Sequence, residues 1–261
     1  MFKERLTKFR KYLLLLLPLL LGSIAVVIFT DKSNACEGCY VLDKGEFKYI
    51  IYDNIPKHTI LGLHQSLLAN KPHLLKSFNL HAVPKITLRV WANEEAYLLE
   101  QENTIGSRYP GSRGYVTLPQ GVMAGELRLF KGSHDLNKTA LHEFVHLLTL
   151  EVNPSFANNP PWLWEAIAIY KSEHQWKYAE APDLIRSRFD NMLKGLYEGR
   201  DTAAIYELGY TIGEYIENTW GQEALVLLIQ SNGDFSVLSD KPLKQVFLDW
   251  QGFVKEKYFN L

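Results

Sequence analysis

Cysteine is almost missing from this chain: Cys36 and Cys39, in the tetrapeptide CEGC, are the only two in 261 residues. Two thiols cannot complete a four-ligand structural zinc site, and a pair this close suits a local disulfide, so no chemistry is assigned to them. An excess of charge is missing too, since 28 Lys and Arg face 29 Asp and Glu for a formal net charge of -1. That balance offers no basic footprint for a phosphate backbone, and nucleic acid is excluded as an expected partner. Internal repeats, low-complexity tracts and long charge runs are also lacking. What is there is an ordinary globular composition, 47% hydrophobic and 22% charged, with enough residues for a substantial core.

One stretch departs from that average. Residues 12–30 form a run of 19 uncharged, mostly apolar residues. As a helix they would reach about 28 Å at ~1.5 Å per residue, enough to cross the hydrocarbon core. Pro18 is tolerable in such a helix, and Lys3, Arg5, Lys8, Arg10 and Lys11 all precede it, so the positive-inside rule keeps that end cytoplasmic. The expected organisation is a basic start and transmembrane anchor over 1–30, a juxtamembrane linker over 31–45, and one domain over 46–261 outside the membrane. Cleavage after Ser33-Asn34-Ala35 would make the protein secreted instead. The apolar run is longer than the usual ~7–15-residue signal core, which favours the anchor.

Beyond the linker the pattern is mixed, then helical. Residues 46–52, 86–92, 114–119 and 125–130 read as strands, while 59–78 and a segment capped by Asn93 read as helices. Helices are then expected over 138–152, 161–174, 181–198, 203–219, 222–231 and 241–258, the second opening on Pro160-Pro161. The fold class is α+β, strands first and helices after.

Within the helix at 138–152 lies LHEFVHLL, where His142 and His146 stand four residues apart around Glu143. Four residues are about 40° of azimuth and one turn of rise, so both imidazoles leave the same face and can grip one ion. Glu143 lies about 100° away, where its carboxylate can reach a water on the metal without being a ligand. Alone the string is weak, since it arises by chance on the order of once in a hundred chains of this length. A third donor makes the difference. Glu165 sits in WLWEAIAIY, a strongly apolar helix, and an unpaired carboxylate buried there costs several kcal/mol unless a cation or a hydrogen-bond donor meets it. The 18 residues between His146 and Glu165 let the first helix end, turn, and return alongside as a second.

HEFVH followed after 18 residues by the Glu of WLWEAIAIY resembles the gluzincin branch of zinc metallopeptidases, in particular the small peptidase-MA-like proteins with their WLxEGxAxY segment. The likeness is close over 137–172 and loose over 80–220. It implies a zincin-like fold and one Zn2+ ion on His142, His146 and Glu165, with Glu143 as general base. It also implies an extended peptide or protein substrate, paired along an edge strand near 122–130, and a tyrosine, Tyr206 or Tyr210, as donor to the oxyanion. Ala166 stands where that segment has glycine, and Ile169 stands where some gluzincins carry a carboxylate that orients a histidine.

Three functions follow as expectations. The first is a membrane-anchored zinc endopeptidase acting outside the membrane. The second is a non-catalytic exported zinc protein that binds peptide in the same cleft. An aminopeptidase is the third, disfavoured because GVMAGE at 121–126 has Ala124 and Gly125 where the large aminopeptidases have Glu and Asn. His134, eight residues before His142, is expected at the surface.

Overall fold

The computed structural model describes residues 38–118, 125–157, 160–172, 191, 194–195 and 204–259. The chain divides into two units, Met1–Tyr40 and Val41–Leu261, and the second carries the fold. It is α+β, with a five-stranded sheet followed by helices. The apolar run at 12–30 lies outside the described residues, as does most of the helix expected over 181–198. Among the described residues no helix is long and apolar enough to cross a membrane.

The strands are β1 (Cys39–Lys44), β2 (Phe47–Tyr52), β3 (Ile86–Trp91), β4 (Gly114–Thr117) and β5 (Glu126–Phe130). Their order across the sheet is β1-β2-β3-β5-β4. β2, β3 and β5 run parallel, and β4 returns antiparallel to β5 with Gly114 opposite Leu129. The sequence reading has no strand before residue 46. β1 stands in what was expected to be linker, its alternation blurred by Asp43 and Lys44. Cys39, at its start, is disulfide-bonded.

One expectation is corrected by the topology. The strand ending at Phe130 is β5, which is paired on both sides and has no free edge for a substrate. Among the described residues the edge strand on that side is β4, which precedes β5 in the chain.

Both sheet faces are covered, as parallel strands require. Parallel strands need a crossover, and α1 (Lys57–Ser77) supplies it between β2 and β3. Phe47, Tyr49, Ile51, Leu88, Val90, Leu127 and Leu129 are all but fully buried on the face that carries α1 and α3 (Leu136–Val152). Phe47 meets Phe144 of α3 edge to face at 6.3 Å, and Tyr49 donates to or accepts from His64 of α1 at 3.0 Å. The opposite face carries α2 (Glu94–Ile105) over an aromatic group of Trp91, Tyr97 and Phe130. Asn93 caps α2 as expected, accepting from the Ala96 amide at 2.9 Å.

The remaining helices are α4 (Pro161–Lys171), α5 (Ile205–Trp220), α6 (Ala224–Gln230) and α7 (Leu243–Phe259). α4 lies along α5, and α7 is tied to α5 by the buried Trp250 indole donating to Thr211 at 3.1 Å.

Candidate metal centre

The site is built where α3 and α4 cross. Asp135 starts α3 by accepting from the amides of Asn137 and Lys138 at 3.0 and 3.3 Å, which fills two of the donors a helix start leaves unpaired. From there Ala140, Phe144, Val145, Leu147 and Leu148 go into the core, and the period of the helix carries His142 and His146 to the α4 side. Asn153 ends α3 and opens a 3-10 turn, Pro154–Phe156, by accepting from the Ser155 amide at 3.0 Å. Its own amide nitrogen donates to the Ile229 carbonyl at 2.8 Å, which ties the turn to the end of α6. α4 then begins at Pro161, a position that has no amide hydrogen to satisfy.

Leu163, Trp164, Ala166, Ile167, Ala168 and Ile169 are the buried residues of α4, and Glu165 among them faces the histidines. His142 Nε2 and His146 Nε2 are 3.0 Å apart. The Glu165 carboxylate straddles them, Oε2 at 3.2 Å from His142 and Oε1 at 3.6 Å from His146. These three side chains form a group that could hold a metal ion, and among the described residues it is the one such group. The His146 ring stacks on Trp164 at 4.2 Å and 10°, so an indole plane fixes the imidazole from below.

The charges in the site are strongly coupled. Burial raises the Glu165 carboxyl, but the two histidines outweigh it and hold the acid well below its ordinary range. Burial would lower His142, yet the hydrogen bond it donates to the Glu165 carboxylate and the charges of Glu143 and Glu165 leave it raised. His146 goes down, chiefly because it is buried. Glu143 is 6% exposed and is not one of the converging donors. Burial pushes its carboxyl up to about 7, with His142 pulling down and Glu165 pushing up.

The two candidate tyrosines part ways. Tyr206, in the first turn of α5, turns its hydroxyl to Glu165; packing around that end, then the charges of Glu165 and Glu143, raise its pKa. The residue as a whole is 60% exposed. Tyr210 lies one turn on and meets Tyr170 edge to face at 5.4 Å. His134, expected at the surface, is instead half-buried against Phe130 at 6.1 Å.

Two neighbours of the site escape a reading by spacing. Trp164 looks like one more apolar residue of a buried helix, and Gly114 like the turn before a strand. Yet a Cβ at Gly114 would lie 2.6 Å from Glu143 Cγ, so β4 runs directly against the glutamate. No family model matches the chain, and no curated protein matches it significantly, so the site is read from its own residues.

Proposed function

We propose that this chain is a zinc-dependent peptidase of the gluzincin kind, anchored through residues 12–30 and cleaving peptide chains outside the membrane. The observation that carries the reading is the triangle of His142, His146 and Glu165, with donor separations of 3.0, 3.2 and 3.6 Å. Ligands held tetrahedrally at ~2.0–2.1 Å from zinc stand about 3.3 Å apart, so the triangle fits that ion. Two imidazoles and one carboxylate also leave a fourth position open, the donor set of hydrolytic rather than structural zinc. The chemistry zinc supplies when bound is Lewis acidity, which polarises a carbonyl and acidifies water.

The chain's own groups fill the remaining roles. Glu143, buried beside the three donors without being one of them, accepts the proton of the attacking water and delivers it to the leaving amine. The Tyr206 hydroxyl, beside Glu165, donates to the oxyanion that develops on the attacked carbonyl. The outer edge of β4, unpaired among the described residues, offers backbone donors and acceptors to an extended peptide, and its Gly114 end lies at Glu143.

The test is Glu143→Gln. That variant keeps the ligands and full zinc content while hydrolysis falls about 10²–10⁴-fold. Full activity in it refutes the mechanism, and product ends released one residue at a time from the amino terminus refute cleavage within chains.

One observation favours a second reading, a zinc protein that holds peptide without cutting it. Nδ1 of His146 is buried with no hydrogen-bond partner among the described residues, and Ile169 occupies the place where a carboxylate would orient a histidine. Peptide binding by the zinc-loaded protein with no product over long incubation supports that alternative.

A further inference from the structure

We propose that Gly114 is a positioning residue for Glu143: the missing side chain at the start of β4 is the space that holds the glutamate carboxylate in place. The proposal deepens the peptidase reading and rests on it only for its kinetic consequence. A Cβ at 114 would lie 2.6 Å from Glu143 Cγ, 2.7 Å from Oε1 and 2.9 Å from Cδ. Gly114 is not among the glycines with positive φ, so backbone conformation does not demand glycine there. Space does.

Neither wall can retreat from the contact. On the strand side, Ser112 donates to the Gly114 carbonyl at 3.1 Å. The same hydroxyl is held by Tyr97 at 3.0 Å and by the Gln101 amide at 3.2 Å. Tyr97 and Gln101 are 0% and 1% exposed, so this clamp is anchored in the packing of α2. The Phe130 amide holds the preceding carbonyl, that of Arg113, at 2.9 Å. On the helix side Phe144 and Val145 are fully buried, which fixes the α3 backbone on which Glu143 stands. An added methyl therefore displaces the one flexible element between the walls, the Glu143 side chain. The three atoms nearest to the added methyl all belong to Glu143, and none to His142, His146 or Glu165.

The experiment compares Gly114→Ala with the unaltered full-length protein, both alone and combined with Glu143→Ala. Gly114→Ala is expected to keep its full zinc content, leave KM within about twofold, and lower kcat about 10- to 100-fold, the scale set by ångström misplacement of a reacting group. In the Glu143→Ala background the same methyl changes the residual rate less than about twofold, since the two substitutions act through one group. A crystal structure of Gly114→Ala shows the Glu143 carboxylate moved while β4 and the three ligands stay.

A structure in which Glu143 keeps its place and β4 shifts instead overturns the proposal, as does an unchanged kcat. If Gly114→Ala does not fold, the double variant does, because the methyl takes vacated room; a double variant that also fails to fold overturns it. Should no form of the protein cleave peptides, the peptidase reading fails alone, and the crystallographic comparison still decides the role of Gly114.

Discussion

At the residue scale the account turns on Glu165, an acid on a helix that is otherwise apolar on the inside. A carboxylate with 18% of its side chain exposed is stable there because two imidazoles and, when bound, a divalent ion meet it. Glu165→Gln removes the charge and keeps the shape. Since losing a mere supporting partner of a ligand costs 10–100-fold in metal affinity, losing the ligand is expected to cost about 100-fold or more. Calorimetric zinc titration checks this. Trp164 supports from the other side: Trp164→Leu removes the plane under His146, and affinity is expected to fall about tenfold with the ligand set intact. Proton competition adds a pH dependence whose sign follows from His142. Its pKa is raised above the ordinary imidazole value, so it is protonated and unable to ligate below that pKa. Apparent zinc affinity should therefore be full at alkaline pH and fall by about tenfold per pH unit once the pH drops below that raised pKa, so the loss sets in above the ordinary imidazole value of about 6.5. Affinity that stays flat down to pH 5 contradicts His142 as a ligand.

At the element scale, α3 is positioned by its ends as well as its core. Asp135→Ala removes the side-chain acceptor for two amides, expected to cost about 1 kcal/mol and to lower the melting temperature by about 2–4 °C. Thermal denaturation of the variant measures it. The elements were largely legible because each carries a local signal: alternation in residues 86–91, the Asn93 cap, and the proline pair before α4. The group of three that could hold a metal ion was legible for the same reason, since helical period brings His142 to His146 and an apolar setting singles out Glu165. What spacing cannot carry is the pairing between distant strands. β5 has the better strand pattern and was expected to be the edge, yet β4, only four residues long, lies outside it. Which tyrosine faces the site depends on the roll of α5 against α4, and residues four apart on one helix look alike to any periodic argument. Gly114 was hidden for a similar reason, because its partner is 29 residues away and on another element.

At the scale of the whole molecule, α3 packs against β4 and β5 on one side and against α4 on the other, and it carries His142, Glu143 and His146 between them. Removing the ion should therefore loosen more than a loop. A ligand present at 100 times its Kd adds about 2.7 kcal/mol, so stripping zinc with a chelator is expected to lower the melting temperature by roughly 5–10 °C, reversibly. An unchanged melting curve would mean that the metal contributes nothing to joining α3 and α4. The basic start and the apolar run at 12–30 then set where the domain works, a proposal that membrane fractionation of the intact protein and determination of its mature amino terminus check together. A mature protein that begins at Cys36 contradicts the anchor. The central claim is that His142, His146 and Glu165 hold a zinc ion that Glu143 puts to hydrolytic use. Its most direct test is digestion of an unbiased peptide mixture by the zinc-loaded protein beside its Glu143→Gln form at equal metal content. Cleavage by the unaltered protein alone is the expected result; equal cleavage by both, or none by either with zinc in place, contradicts it.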